Sequence, residues 1–175
     1  YNGAALCPTL ILTKQTARLL EEGHDSLERE LADKLRYTGT PIQWKKIKRP
    51  RTRDDLNRAA ELTKCLYRAG VKLLLGTDTH NPYVLPGYAT HQELELLVGH
   101  LGLTPYEALR TGTVDAAEFL GVNAGTIEPG QKANLVLVDK NPLDNLAVLE
   151  KTSDVFVRGR HFTRETLEKS LKVVS

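Results

Sequence analysis

Methionine is absent from all 175 residues. Tyr1 is therefore not a translation start unless processing removed one, and the chain is expected to be an internal fragment of a longer protein. Cysteine is scarce: Cys7 and Cys65 are the only two, each inside an apolar stretch. That excludes a disulfide framework and a cysteine zinc site, and it reads as two small core residues. No run reaches the roughly 18 apolar residues of a membrane-spanning helix. The first residues lack the basic segment and long apolar core of a secretory signal. The formal net charge is only +2, so no strong field favours an acidic partner or opposes one. With 41% hydrophobic and 26% charged residues, the composition is that of one soluble globular unit or slightly more. A cytoplasmic location is expected, because two unpaired thiols are compatible with a reducing compartment.

What the chain does contain is organised around Lys72-Leu73-Leu74-Leu75-Gly76-Thr77-Asp78-Thr79-His80. The apolar run Val71 to Leu75 is short and flanked by Gly70 and Gly76, which reads as a buried strand of a parallel sheet. Loops leaving the C-terminal ends of such strands carry the chemistry of α/β folds. Asp78 sits at that exit and reads as a metal ligand or general base; the alternative is a turn or capping aspartate.

Before this stretch, residues 4 to 12 form an apolar run broken by Pro8. It reads as a buried strand with Thr9 near its exit and Thr13 capping a helix. Residues 15 to 36 read as one long helix or two, interrupted at Gly23-His24-Asp25, with His24 a surface or capping residue. Six Lys or Arg between Lys45 and Arg53 surround Trp44. Clustered cations with an aromatic can bind nucleic acid. The reading preferred here is a solvated loop offset by the acidic helix before it, with no nucleic-acid partner and no membrane. Residues 54 to 69 predict a helix with a capping box from Thr52 to Asp55 and a stop at Gly70.

After Asp78, a loop with two prolines carries His80, Tyr83 and Tyr88 and is expected to rim a site. Three helix starts follow: a Thr90 to Glu93 capping box, a Thr104 to Glu107 capping box with Pro105 at the first helical position, and Thr113. Leu94, Leu97, Val98 and Leu101 predict one buried stripe, and Ala116, Ala117, Phe119 and Leu120 another. His91 would lie in the first turn of its helix, either reaching a substrate or standing at the surface. His100, near a helix C-terminus, is given no catalytic role. From residue 125 the pattern changes. A Pro129-Gly130 turn, a strand over residues 133–139, a hairpin turning at Gly159 and a final helix near residues 164–173 form a small β module with a helical end.

Several of these strings together resemble a known family. Gly76-Thr77-Asp78, His91-Gln92-Glu93-Leu94, the Gly102 to Leu109 segment, Ala116 to Gly121, Gly125 to Asp139 and Asn141-Pro142-Leu143 follow the order and spacing of the closing part of metal-dependent amidohydrolases. The nearest look is the imidazolonepropionase-like and Xaa-Pro dipeptidase-like branch. The resemblance implies an α/β fold: the last two strand–helix units of a (β/α)8 barrel plus a small appended β module. Leu6 to Leu12 would be the seventh strand and Val71 to Leu75 the eighth. Residues 1–122 would belong to the barrel, 123–163 to the β domain and 164–175 to a terminal helix.

The resemblance also implies a chemistry. Asp78 falls on the family's aspartate that both contacts a divalent metal, zinc for preference and one or two ions, and takes a proton from the attacking water. His80 and His91 would contact substrate, a small-molecule amide or dipeptide. The family also uses a His-x-His pair and further histidines, and no His-x-His occurs here. One aspartate falls short of the roughly three or four ligands of a zinc site. The chain alone is therefore expected to bind metal weakly and to be inactive. It is expected to self-associate or to pair with an N-terminal part it lacks. The alternative is a remnant or interaction module with no catalysis.

Overall fold

The computed structural model describes residues 3–35, 51–79, 81 and 83–172. Two small sheets are joined by helices. In the first, β1 (Ala5–Leu6) lies parallel to β2 (Lys72–Leu73), pairing Ala5 with Lys72 and Leu6 with Leu73. Between them in sequence come α1 (Leu10–Glu22), α2 (His24–Leu35) and α3 (Arg53–Arg68). After β2 come α4 (Tyr88–Leu101), α5 (Pro105–Thr111) and α6 (Val114–Leu120). The second sheet is antiparallel, in the order β3 (Leu135–Val138), β4 (Thr152–Val157) and β5 (Arg160–Thr163), with α7 (Arg164–Lys172) after it.

The first segment corrects the sequence reading. The strand stops at Leu6, and α1 begins at Leu10 rather than after Thr13. Pro8 has no N–H for a ladder, and Thr9 turns into the left-handed region at φ 47°, so the chain leaves the sheet there. Thr13 lies inside α1, where its hydroxyl accepts from Arg51 Nη1 at 2.6 Å. The break at Gly23 separates α1 from α2 as the sequence indicates. The Val71 to Leu75 run pairs as a strand only at Lys72 and Leu73. Beyond them, Leu74 N–H still donates to the Leu6 carbonyl, while Leu75 N–H donates instead to Thr111 at the end of α5.

Both cysteines are exposed, contrary to the expectation of buried core residues. Cys65 lies two positions past the buried Thr63, about 200° round the helix from it. Cys7 follows the last paired residue of β1, where the ladder no longer covers it. The predicted inward face of α3, with Leu56, Ala60 and Thr63 buried, is present, as is its Thr52–Asp55 capping box.

The core centres on α4, which buries Ala89, Gln92, Glu93, Leu94, Leu96, Leu97 and Leu101. A helix buried on most of its circumference is a central element. Leu10 and Ile11 of α1, Leu56 and Ala60 of α3, Leu73 of β2 and Ala108 of α5 pack in the same cluster. The structure starts α4 two residues before Thr90, with Gly87 at its N-cap, so Thr90 is not the cap and the expected Thr90–Glu93 box does not form. The Pro86-Gly87 turn sets that earlier start. The Thr104–Glu107 box does form, with Pro105 at the first helical turn. In α6 only Ala117 is buried; Phe119 and Leu120 are exposed, Leu120 at 68%. Seven residues make barely two turns, and no described element covers the far one.

The β module follows its local code. Gln131 N–H donates to the Glu128 carbonyl with Gly130 at φ 90°, the geometry of a type II turn. Arg158 and Gly159 both have positive φ between β4 and β5, as a two-residue hairpin of the I′ kind requires. Gly125, at the entry to this module, has φ 95°, and an added Cβ would lie 2.8 Å from the Thr113 carbonyl oxygen and 3.0 Å from Val114 Cα. Both obstacles are backbone, so Gly125→Ala is expected to cost about 2 kcal/mol or more. A urea midpoint unchanged by this substitution would contradict that packing.

Candidate functional site

Because β1 and β2 are parallel and in register, Cys7-Pro8-Thr9 and Gly76-Thr77-Asp78 leave the sheet by the same edge. Gly76 is what lets the two exits touch: a Cβ there would come within 2.3 Å of Cys7 Sγ. Two residues on, Asp78 adopts φ 54°. Aspartate tolerates the left-handed region better than most residues. Asn81 fixes the turn, its N–H and its Nδ2 donating to the Asp78 carbonyl oxygen at 3.4 and 2.9 Å. The hydroxyls of Thr77 and Thr79 share a hydrogen bond of 2.6 Å. Asp78 itself is exposed. The backbone is tied down while the residue faces solvent, an arrangement suited to meeting a ligand.

The remainder of that loop departs from the expected rim of binding groups. Tyr83 and Val84 are buried. Tyr83 packs with Leu27 and Leu31 of α2, its hydroxyl hydrogen-bonds His24 Nδ1, and its carbonyl accepts from Gln15 Nε2 at 3.2 Å. Tyr83 is a core residue here, and His24, at the start of α2, is its partner. His80 lies outside the described residues, as do residues 39–50 with Trp44 and most of the basic connector. Of that connector, Arg53 is described and pairs with Glu21 at 2.7 Å, an offset of the kind the acidic helix was expected to supply. His91 occupies the first turn of α4, half-buried, and its Nδ1 is buried with no hydrogen-bond partner among the described residues. No described hydrogen bond joins it to Asp78.

The residue that sequence reasoning missed is Glu93. It is fully buried on α4, and its carboxylate accepts from the backbone N–H groups of Leu10 at 2.9 Å and Ile11 at 2.7 Å. Burial pushes its pKa up to about 7, outweighing the two hydrogen bonds, which favour the charged form. The Cys7 residue is exposed as a whole, but its sulfur lies against Gly76, and its thiol is also pushed up, by this partial desolvation first and then by the charges of Glu93 and Asp78. A sequence signal was present: Glu93 lies one turn from both Ala89 and Leu97, on the apolar side of its helix.

The carboxylate of Asp78 can accept a proton or coordinate a cation. Among the described residues no three His, Cys, Asp or Glu side chains gather as a metal ion would need. Asp78 alone falls short of the roughly three or four protein ligands of a zinc site, so the described residues do not by themselves fit a metal.

Comparison with known proteins gives this edge a context. Residues 39–161 match the profile described as the amidohydrolase family. An ochratoxinase of Aspergillus niger is 34% identical over 91 residues, covering 50% of this chain and 18% of that protein. An imidazolonepropionase of Geobacillus kaustophilus is 37% identical over 84 residues, covering 47% of this chain and 19% of that one. A solved Xaa-Pro dipeptidase with bound methionine shares the fold, with TM-score 0.62 and 21% identity, over 93% of this chain and 35% of its own. The matched region is thus a small part of the length of these curated relatives.

Proposed function

We propose that this chain, which belongs to the amidohydrolase family, supplies the closing edge of a hydrolase site for amide C–N bonds, with Asp78 as the carboxylate that accepts a proton from the attacking water. The observation that carries this reading is the position of Asp78: an exposed residue past the C-terminal end of a parallel strand, its backbone carbonyl held by Asn81. A carboxylate within hydrogen-bond reach of a water makes it a better nucleophile as attack on the carbonyl begins. In this reading β1 with α1 and β2 with α4 are the last two units of a (β/α)8 barrel. Residues 123–163 are then the returning part of a small β domain.

The family is generally metal-dependent. Zinc is the proposed ion and Asp78 one proposed ligand, the others having to come from outside the described residues. Small-molecule amides or dipeptides are the proposed substrates, with His80 and His91 as proposed contacts. Ile127, exposed at 87%, Leu120 and Val136 leave apolar surface uncovered, which favours association with a second copy or with a further part of the barrel.

These readings give a paired expectation for the 175-residue chain by itself. It should form assemblies larger than a monomer by light scattering. It should also show no turnover of an Xaa-Pro dipeptide or an N-acyl amino acid, with or without added zinc. Robust turnover would show that this chain carries a complete site and would contradict the closing-edge proposal.

A further inference from the structure

We propose that Glu93 is a positioning residue for the Asp78 site: its buried carboxylate clamps the start of α1 and so holds the Cys7-Pro8-Thr9 turn against Gly76-Thr77-Asp78. The functional meaning of that position rests on the reading of Asp78 given above; the clamp itself does not.

The first N–H groups of a helix have no partner within the helix. Helix α1 lacks the usual remedy, since Thr9 makes no side-chain capping bond and the first turn contains no acidic residue. Glu93 supplies acceptors for two of them from 82 and 83 residues away in sequence, one oxygen to Ile11 and the other to Leu10. The link from there to the site is short. Leu10 stands three residues after Cys7, with the fixed φ of Pro8 between them. The Cys7 sulfur then rests on Gly76, so closely that a Cβ would meet it at 2.3 Å. Gly76 is two residues from Asp78. The thiol of Cys7 lies within electrostatic reach of both Glu93 and Asp78. This cap ties the central helix α4 to the exits of both strands.

The test is hydrogen exchange and amide chemical shift, read by NMR on the full 175-residue chain. In Glu93→Ala, exchange at Leu10 and Ile11 should rise about tenfold or more, as expected for losing their buried hydrogen bonds to the carboxyl group. In the same sample the amide signals of Gly76, Thr77 and Asp78 should shift and exchange faster. Leu101 at the far end of α4 and Val155 in β4 should keep their parent rates. Glu93→Gln retains one acceptor and should give a smaller change at the same positions. Unmoved signals at Gly76 to Asp78 would overturn the proposal, as would a uniform rise everywhere, which is a loss of stability alone. If Glu93→Ala does not fold, Glu93→Gln decides: signals shifted at Gly76 to Asp78 with Leu101 unmoved support the clamp, and signals unmoved there overturn it. None of these readouts requires turnover, so they stand or fall separately from amide hydrolysis.

Discussion

Asp78→Asn is expected to lower amide hydrolysis by about a hundredfold or more wherever the site around it is complete, the scale of loss typical of removing a general base. Asparagine has nearly the same shape, and the Asn81 bonds that fix this turn go to the backbone carbonyl of residue 78, not to its side chain. The substitution therefore removes the proton acceptor and leaves the loop in place. Asparagine also tolerates positive φ, so the 54° backbone at this position adds no strain. The effect should fall on kcat more than on KM, because the carboxylate acts as water attacks. The comparison is made in a graft, with the matching segment of the Geobacillus kaustophilus imidazolonepropionase replaced by the aligned residues of this chain. Equal turnover by the unaltered graft and by the graft carrying Asp78→Asn would remove this residue from the chemistry.

The largest stability effect is expected at Glu93 and runs opposite to the usual carboxylate pattern. Its pKa is raised on folding, from an ordinary 4.5 to about 7. The folded chain therefore binds a proton that the unfolded chain releases between those values. Its contribution is fully present below about pH 4.5 and is lost as pH rises towards 7. A shift of that size corresponds to about 3 kcal/mol. The capping carboxylates Asp55 and Glu107 act in the other direction and at lower pH, since hydrogen bonds from their Thr partners hold both below the usual range. The difference between parent and Glu93→Gln isolates the Glu93 part. Urea denaturation from about pH 4.5 to 7.5 should show the parent losing about 3 kcal/mol relative to the Gln variant. Parallel pH profiles would mean that the Glu93 carboxyl titrates alike in the folded and unfolded chain.

Elements whose requirements lie within a few residues were legible before any coordinates. The Thr52–Asp55 and Thr104–Glu107 capping boxes, the Pro129-Gly130 turn and the hairpin at Gly159 each depend on a short local code, and each is present. Thr90 shows the limit of that code. It carries the same signature as Thr104, with Glu93 three residues on, yet the turn before it starts the helix earlier and Glu93 serves another helix. Nothing local says which N–H a glutamate will find. The burial of Tyr83 is equally non-local, since it depends on what lies against α2. The position of Asp78 at a strand exit could be read from its own segment. The link that runs to it from Glu93 through Leu10 and Cys7 could not, because these groups arrive from distant parts of the chain.

The most direct measurement is turnover by the graft that carries this chain's residues unaltered. Measurable hydrolysis of the parent enzyme's own substrate, lost with Asp78→Asn, is the result predicted for a segment that supplies the closing edge of the site. A folded graft with its metal bound and no turnover would contradict it.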